Sequence, residues 1–370
     1  MRIAITGAHG FMGQNLQVRL TETGHVNLVR VPHDADDAGL MRLLEGVQIV
    51  FHLAGVNRSQ DPLDFSAGNT GFTQRLCRAM SQLPAPPRVA YSSSTQATLD
   101  NPYGQSKREA EQALFHYGQA TGAQVQVFRL PNVFGKWCRP NYNSAVATFC
   151  HNIARDIPIT ISDTNARVHL VYIDDVTLQW LALLDDTAAP SGFRDAGPVN
   201  TITVGELAVT LQGFKGSRQT LLTDPVGTGL TRQLYATYMS FLPVEKFHYD
   251  VPRHGDPRGV FVEMLKTQES GQFSYFTAHP GITRGEHYHH TKTEKFLVIK
   301  GSARFAFRHI LTDETHELFV QGAAGRIVET VPGWTHNITN VGNDELIVML
   351  WANEIFDRNR PDTIAMKVGA

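Results

Sequence analysis

A short apolar strand that runs directly into three spaced glycines and then a helix constrains this chain more than any other feature. In MRIAITGAHGFMGQNLQVRL, Arg2 to Thr6 read as a buried strand, and Phe11, Leu16, Val18 and Leu20 give the next segment its apolar helical face. Gly7, Gly10 and Gly13 stand between them as G-x-x-G-x-x-G. A turn of this kind lets the backbone approach a pyrophosphate, whose charge the free N–H groups of the helix start can bind. The first part of the chain is therefore expected to be α/β, a Rossmann-type doubly wound parallel sheet. Phe11 and Met12 join the glycines as cofactor-contact candidates.

The next strand, HVNLVRV, selects the cofactor through the residue type at its end. A carboxylate there bonds the ribose 2′-hydroxyl, whereas an arginine accepts a 2′-phosphate. Arg30 occupies this region and favours NADPH, while Asp34, Asp36 and Asp37 are the acidic alternative. A third strand, VQIVFHLAG, ends at Leu53, Ala54 and Gly55, leaving room for the nicotinamide side. The fourth, RVAYSSS, leads to PYGQSK, where Tyr103 and Lys107 are one helical turn apart on one face. An ammonium beside a phenol is expected to lower the phenol's pKa. Tyr103 would then exchange a proton with a carbonyl or alcohol oxygen while hydride moves at the nicotinamide.

TGAHGFMG, FHLAG, YSSS, PYGQSK and RLPNVFG stand in the order and approximate spacing of the extended short-chain dehydrogenase/reductases, and residues 1 to about 245 resemble that group. The resemblance implies chemistry on nucleotide-sugars, with Ser94 as the hydroxyl partner and Thr95 as the alternative. It also places Asn69 after the third strand and Asn132 in the substrate cleft. The chain departs from the group in lacking its usual acidic residue after the second strand. Further on, KWCRPNYNS offers Lys136, Arg139, Asn141, Tyr142 and Asn143 before an apolar-periodic helix, basic and amide groups suited to a diphosphate and sugar hydroxyls. A capped helix entry is the other reading. Asp174 and Asp175 suit a helix start.

A chain of 370 residues exceeds what one core organises, and 42% hydrophobic with 18% charged residues suffices for two. From about Phe247 the text becomes short alternating strands, among them FSYFTA, EKFLVIKG, SARFAFRHI and ELIVMLWA. An all-β sandwich or barrel of the double-stranded β-helix kind is expected, with domains at 1–245 and 246–370. In GEHYHHTKTEKFLVIKG, strand alternation puts His287 and His289 on one face, and Glu294 and His336 would complete a metal site from neighbouring strands. His290, Lys292 and Lys295 are candidates for proton transfer, His290 from the opposite strand face and the lysines near the mouth.

This spacing resembles the two cupin motifs, although Val331 stands where the second motif has proline. The ligand set suits zinc, iron, nickel and copper alike, and zinc or another Lewis-acidic divalent ion is favoured because nothing else in the module calls for redox chemistry. GDPRGVFVEML resembles the start of cupin sugar 3,5-epimerases, which implies Arg258 and Glu263 near the sugar nucleotide.

LYATYMSFLP, NPYGQSK, FGKWCRPNYNS, PGITRGEHYHHTKTEKFLV and RPDT together resemble the bifunctional capsular polysaccharide enzymes of the CapF and WbjC type over nearly the full length. That resemblance implies a homodimer acting on a UDP-linked 4-keto-2-acetamido-2,6-dideoxy-L-hexose. The cupin would epimerise C3 and the N-terminal domain reduce C4 with NADPH, giving UDP-2-acetamido-2,6-dideoxy-L-talose, a precursor of UDP-N-acetyl-L-fucosamine for capsule or O-antigen. Two alternatives stay open. One is a ketoreductase whose cupin serves binding or dimerisation, the other a cupin oxygenase with a regulatory nucleotide domain. A net charge of −2 with scattered basic residues gives no footprint for nucleic acid or anionic membrane. No run approaches the ~20 apolar residues of a membrane span, and Cys77, Cys138 and Cys150 suggest neither disulfides nor a cysteine metal site. A cytoplasmic protein is expected.

Overall fold

The computed structural model describes residues 1–256, 259–262, 265–267, 271–354, 357 and 359–369. Ile3–Thr6 (β1) pairs in parallel with Leu28–Val31 (β2) on one side and Ile49–His52 (β3) on the other. Arg88–Ser94 (β4), Val125–Leu130 (β5) and Gly192–Arg194 continue the sheet, all in parallel, in the order β2-β1-β3-β4-β5 and then the last strand. The direction of winding reverses between β1 and β3, the kind of switch point at which open α/β sheets bind ligands.

β1 and β3 are buried along their whole length, as apolar strands covered on both faces must be. Leu40, Leu76, Met80 and Leu114 fill one layer, and Leu16, Leu20, Trp180 and Leu184 the other. The helix Pro102–Thr121 starts where Asn101 accepts the Gly104 N–H at 2.8 Å with Pro102 in the first turn, and it ends at left-handed Gly122. A π-helical turn, Ser66–Gly71, interrupts the helical run between β3 and β4.

The chain divides into two compact units, residues 1–144 with 167–202 and residues 145–166 with 203–370. The second contains two antiparallel five-stranded sheets. One runs His248–Asp250, Arg326–Glu329, Glu294–Lys300, Leu346–Ala352, Gln272–Ala278. The other runs Thr315–Gln321, Ser302–His309, Trp334–Asn340, Thr283–Tyr288, Ile364–Ala365. The all-β character of the C-terminal part thus holds.

The division differs from the expected break at 245/246, because helices Ala145–Ala154, Val204–Thr220 and Gly229–Ser240 group with the β-rich part. These helices pack on one another and bury Phe214, Tyr235 and Tyr238. Arg218, on the second of them, pairs with the buried carboxylate of Glu329, which also pairs with buried Lys295. A buried anion with two cations cannot give up one partner cheaply, so the helices stay with the sheets.

Candidate functional site

At the switch point the glycines are required by space. Gly7 has φ +66, and a Cβ there would stand 2.7 Å from Ala54 N, while one on Gly13 would stand 2.3 Å from Gly7 O. Gly10 N donates to Gly7 O at 2.9 Å and closes the turn. A cleft of about 990 Å³ opens over it, lined among others by Gly7, Gly10, Arg30, Ala54, Gly55 and Arg75. Phe11 and Met12 form the first turn of the helix Phe11–Glu22, and Leu53 is buried. No carboxylate lies among the described lining residues. Asp36 caps a helix by accepting the Gly39 N–H at 2.7 Å, and Asp37 pairs with Arg75 at 3.0 Å. Two of the three acidic alternatives thus have partners of their own, and none of the three lines the cleft.

Tyr103 lies in the first turn of the helix Pro102–Thr121 and Lys107 in the second. Lys107 is buried, its ammonium donating to Ser92 O at 3.0 Å. Burial pushes it down to about 8, opposed by the Glu111 carboxylate one turn further on. Glu111 is itself held by Arg129 through contacts of 3.0 and 2.6 Å. The Tyr103 phenol donates to Asn57 Oδ1 at 3.1 Å. Burial raises its pKa above the usual 10, a hydrogen bond with Ser94 opposes, and Tyr142 adds to the rise. This corrects the expectation of a phenol lowered by Lys107, because desolvation of the phenolate dominates.

The neighbouring loops are tied by side chains. Asn69 accepts the Val56 N–H at 2.9 Å and donates to Val56 O at 3.0 Å and Ser106 Oγ at 2.9 Å, joining the loop after β3 to the Tyr103 helix. His52 bridges Thr6 Oγ1 at 2.7 Å and Thr73 Oγ1 at 2.8 Å. Thr6 Oγ1 already accepts the Leu53 and Ala54 N–H groups, so its proton goes to His52 Nδ1 and the imidazole carries its own on Nε2. Burial, helped by the Lys107 charge, pushes His52 down to about 3. Sequence reasoning did not single out Asn57, whose only signal is its place two residues beyond Gly55.

The substrate candidates are arranged less uniformly. Asn132 Nδ2 donates to His169 O at 3.1 Å, Arg139 stacks over the Tyr142 ring at 5.2 Å, and Asn141 adopts φ +54. Lys136 is buried and paired with Asp174 at 2.8 Å, so it is not a diphosphate ligand as expected but a fixed internal cation. Arg258 and Glu263 lie outside the described residues.

In the second unit His287, His289, Glu294 and His336 come together, one ligand atom of each lying within 4.8 Å of the others. Glu294 belongs to one sheet, His287 and His336 to the other. A bulge between Gly285 and His287, with Glu286 at φ +60, sets His287 opposite His336. Glu294 Oε2 lies 3.2 Å from His289 Nε2 and 3.5 Å from His336 Nε2. Burial first, then the neighbouring imidazoles, push His287 down to about 3. Burial also lowers His336, while the histidines and Lys292 overcome burial to hold Glu294 well below the usual carboxylate range. Three imidazoles beside a carboxylate are a donor set that zinc accepts, so the residues fit a divalent cation.

A cavity of about 170 Å³ adjoins the cluster, walled by Phe276, Phe296, Phe305 and Phe307, with Arg284 at its polar side. His290 and Lys292 are not among its described walls. The strand ends at Tyr288, so His290 is not on an opposite strand face, and the Lys292 ammonium pairs with Glu294 at 3.0 Å. Lys295 faces Glu329 and Tyr249, which corrects its expected place near the mouth.

Family models match both halves: "NAD dependent epimerase/dehydratase family" at residues 3–193 and "Polysaccharide biosynthesis C-terminal domain" at 254–364. The chain is 55% identical over 369 residues to the UDP-2-acetamido-2,6-beta-L-arabino-hexul-4-ose reductase of Pseudomonas aeruginosa, covering 100% of this chain and 99% of that one. It is similar to the crystal structure of the capsular polysaccharide assembling protein CapF of Staphylococcus aureus, with 40% identity, a TM-score of 0.68 and complete (100%) coverage of both chains. UDP-glucose 4-epimerase of Thermus thermophilus, crystallised with NAD, shares the fold over 58% of this chain and 84% of its own, at 20% identity and a TM-score of 0.52. With a glycine turn at the switch point, a Tyr-Lys helix beside it and these matches, the chain belongs to the NAD dependent epimerase/dehydratase family.

Proposed function

We propose that the chain is a bifunctional UDP-sugar enzyme of capsule or O-antigen synthesis, of the CapF type, with an SDR-like first unit and a cupin in the second. It acts in the cytoplasm, as a homodimer, on a UDP-4-keto-2-acetamido-2,6-dideoxy-L-hexose. The second unit epimerises C3 and the first reduces C4 with NADPH, giving UDP-2-acetamido-2,6-dideoxy-L-talose, a precursor of UDP-N-acetyl-L-fucosamine. One observation carries the reading: each compact unit holds its own group of candidate side chains, Tyr103, Ser94 and Lys107 in one and three imidazoles with a carboxylate in the other.

The chemistry explains why both would be needed. A 4-keto group acidifies the C3 proton, which can leave and return on the other face only while the ketone persists; reduction then fixes the product. A divalent ion, zinc by preference, would supply Lewis-acid stabilisation of the enolate when held by His287, His289, Glu294 and His336. In the first unit the Tyr103 phenol, hydrogen-bonded with Ser94, gives its proton to the oxygen at C4, and the raised phenol pKa keeps that proton available near neutral pH. Arg30 supports NADPH, because it lines the cleft while Asp34, Asp36 and Asp37 do not. Arg139, Asn141 and Asn132 are proposed substrate contacts.

A second reading has its own support: the P. aeruginosa relative bears the name of a reductase. On that reading the β-rich unit serves binding or dimerisation. Exchange of the C3 proton in heavy water, followed by NMR with the 4-keto substrate and no NADPH, separates the two. Exchange that survives Tyr103→Phe and is lost in His336→Ala supports the bifunctional enzyme. Absence of exchange in wild type, with NADPH still consumed, leaves the reductase.

A further inference from the structure

Among the described residues of the second unit, the carboxylate with the densest set of hydrogen bonds is not a cluster residue. Asp362 lies on the C-terminal segment, about seventy residues beyond the histidine stretch. Its Oδ1 accepts the His290 N–H at 2.9 Å. Its Oδ2 accepts the Thr291 N–H at 2.6 Å, the Thr291 hydroxyl at 2.9 Å and the Lys292 N–H at 2.8 Å. One side chain thus takes every backbone donor of the turn between His289 and Glu294 that precedes Thr293. The Arg232 guanidinium stands 4.0 Å away.

The backbone of the same segment reaches the cluster directly. The Asp362 carbonyl is hydrogen-bonded to His289 Nδ1. A carbonyl can only accept, so Nδ1 carries a proton, and it is Nε2, 3.2 Å from Glu294 Oε2, that would be left to bind an ion held by the cluster. Ile364–Ala365 pairs with Tyr288 and His287, Met366 N donates to Glu286 O at 2.8 Å, and Val368 N donates to the Glu286 carboxylate at 2.8 Å. Met366 O accepts the hydroxyl of Thr335, next to His336. Arg308 pins the far end through Lys367 O and Val368 O at 2.8 and 2.9 Å.

We propose that residues 362–368 are a strap that belongs to the metal site, with Asp362 the positioning residue that sets the 290–292 turn and the tautomer of His289. The proposal rests on the metal reading above. Partners of this kind orient metal-bound imidazoles, and losing one typically costs about 10–100-fold in metal affinity. Asp362→Ala should therefore raise the zinc Kd about 10–100-fold, with Asp362→Asn between it and wild type. Arg308→Ala, which frees the strap without touching the turn, should raise it by less.

The test titrates zinc into the metal-stripped full chain against a chromophoric chelator, with the NADPH Kd as a control on the first unit and circular dichroism as a check on folding. Nitrogen-15 NMR of the zinc-loaded protein should show an N–H on Nδ1 of His289. Wild-type zinc affinity in both Asp362→Asn and Arg308→Ala would overturn the proposal and leave the metal site standing, even if Asp362→Ala failed to fold. Wild type that binds no zinc would end the metal reading and the strap's role with it.

Discussion

At the scale of single residues, the buried Lys107 makes the sharpest prediction. Its pKa sits at about 8, below the ordinary 10.5, because burial disfavours the ammonium while Glu111 supports it. Reduction that needs the ammonium should decline as pH rises through about 8, and Glu111→Gln should move that limb to lower pH in a kcat/KM profile. The stability sign follows from the same shift. The unfolded chain holds this proton more tightly, so Lys107 favours the folded state least below about pH 8 and more as pH rises toward 10.5. Tyr103→Phe should lower reduction about 10²–10⁴-fold with little change in NADPH affinity, measured by single turnover. Arg30→Ala should weaken NADPH more than NADH in fluorescence titrations. The Tyr-Lys pair was legible from its spacing together with the glycine loop and serine run, and the four cluster residues from the histidine pattern together with the resemblance to the cupin motifs. The direction of the Tyr103 shift was not, since it depends on how much solvent the packed helix excludes, and neither was Lys136 turning inward to Asp174.

At the scale of elements, Gly13 and the bulge before His287 matter most. Gly13→Ala would push a Cβ to 2.3 Å from Gly7 O, forcing the glycine turn and its helix apart. The expected cost is about 1–3 kcal/mol, with loss of NADPH binding, read by thermal melting with and without cofactor. The core strands were legible as short apolar runs ending in the motifs. The ligand-bearing strand was legible only in part: alternation alone places His287 and His289 on one face, but the strand stops at Tyr288 and Glu286 takes a left-handed backbone. RPDT entered the sequence reading only through a resemblance, with no role for Asp362. RPDT carries no periodicity, and its role exists only once a distant turn folds beside it.

At the scale of the whole molecule, the two units should respond separately to chelation. Removing a divalent ion from the wild type with dipicolinate should lower the melting temperature of the second unit and stop C3 exchange, with NADPH binding retained. A fragment starting at residue 246 should not fold, since it lacks Arg218 beside Glu329 and the helices that group with its sheets; circular dichroism of the isolated fragment tests this. Sequence composition located the change to β-rich text but not this boundary, because helices that cover a neighbouring sheet look like any others. The shared boundary also has a consequence in time. Ala145–Ala154 emerges from the ribosome about fifty residues ahead of Val204–Thr220, one of the helices it packs against. At roughly 5–20 residues per second, its apolar face waits several seconds for cover, which makes it a natural place for a chaperone to act during synthesis.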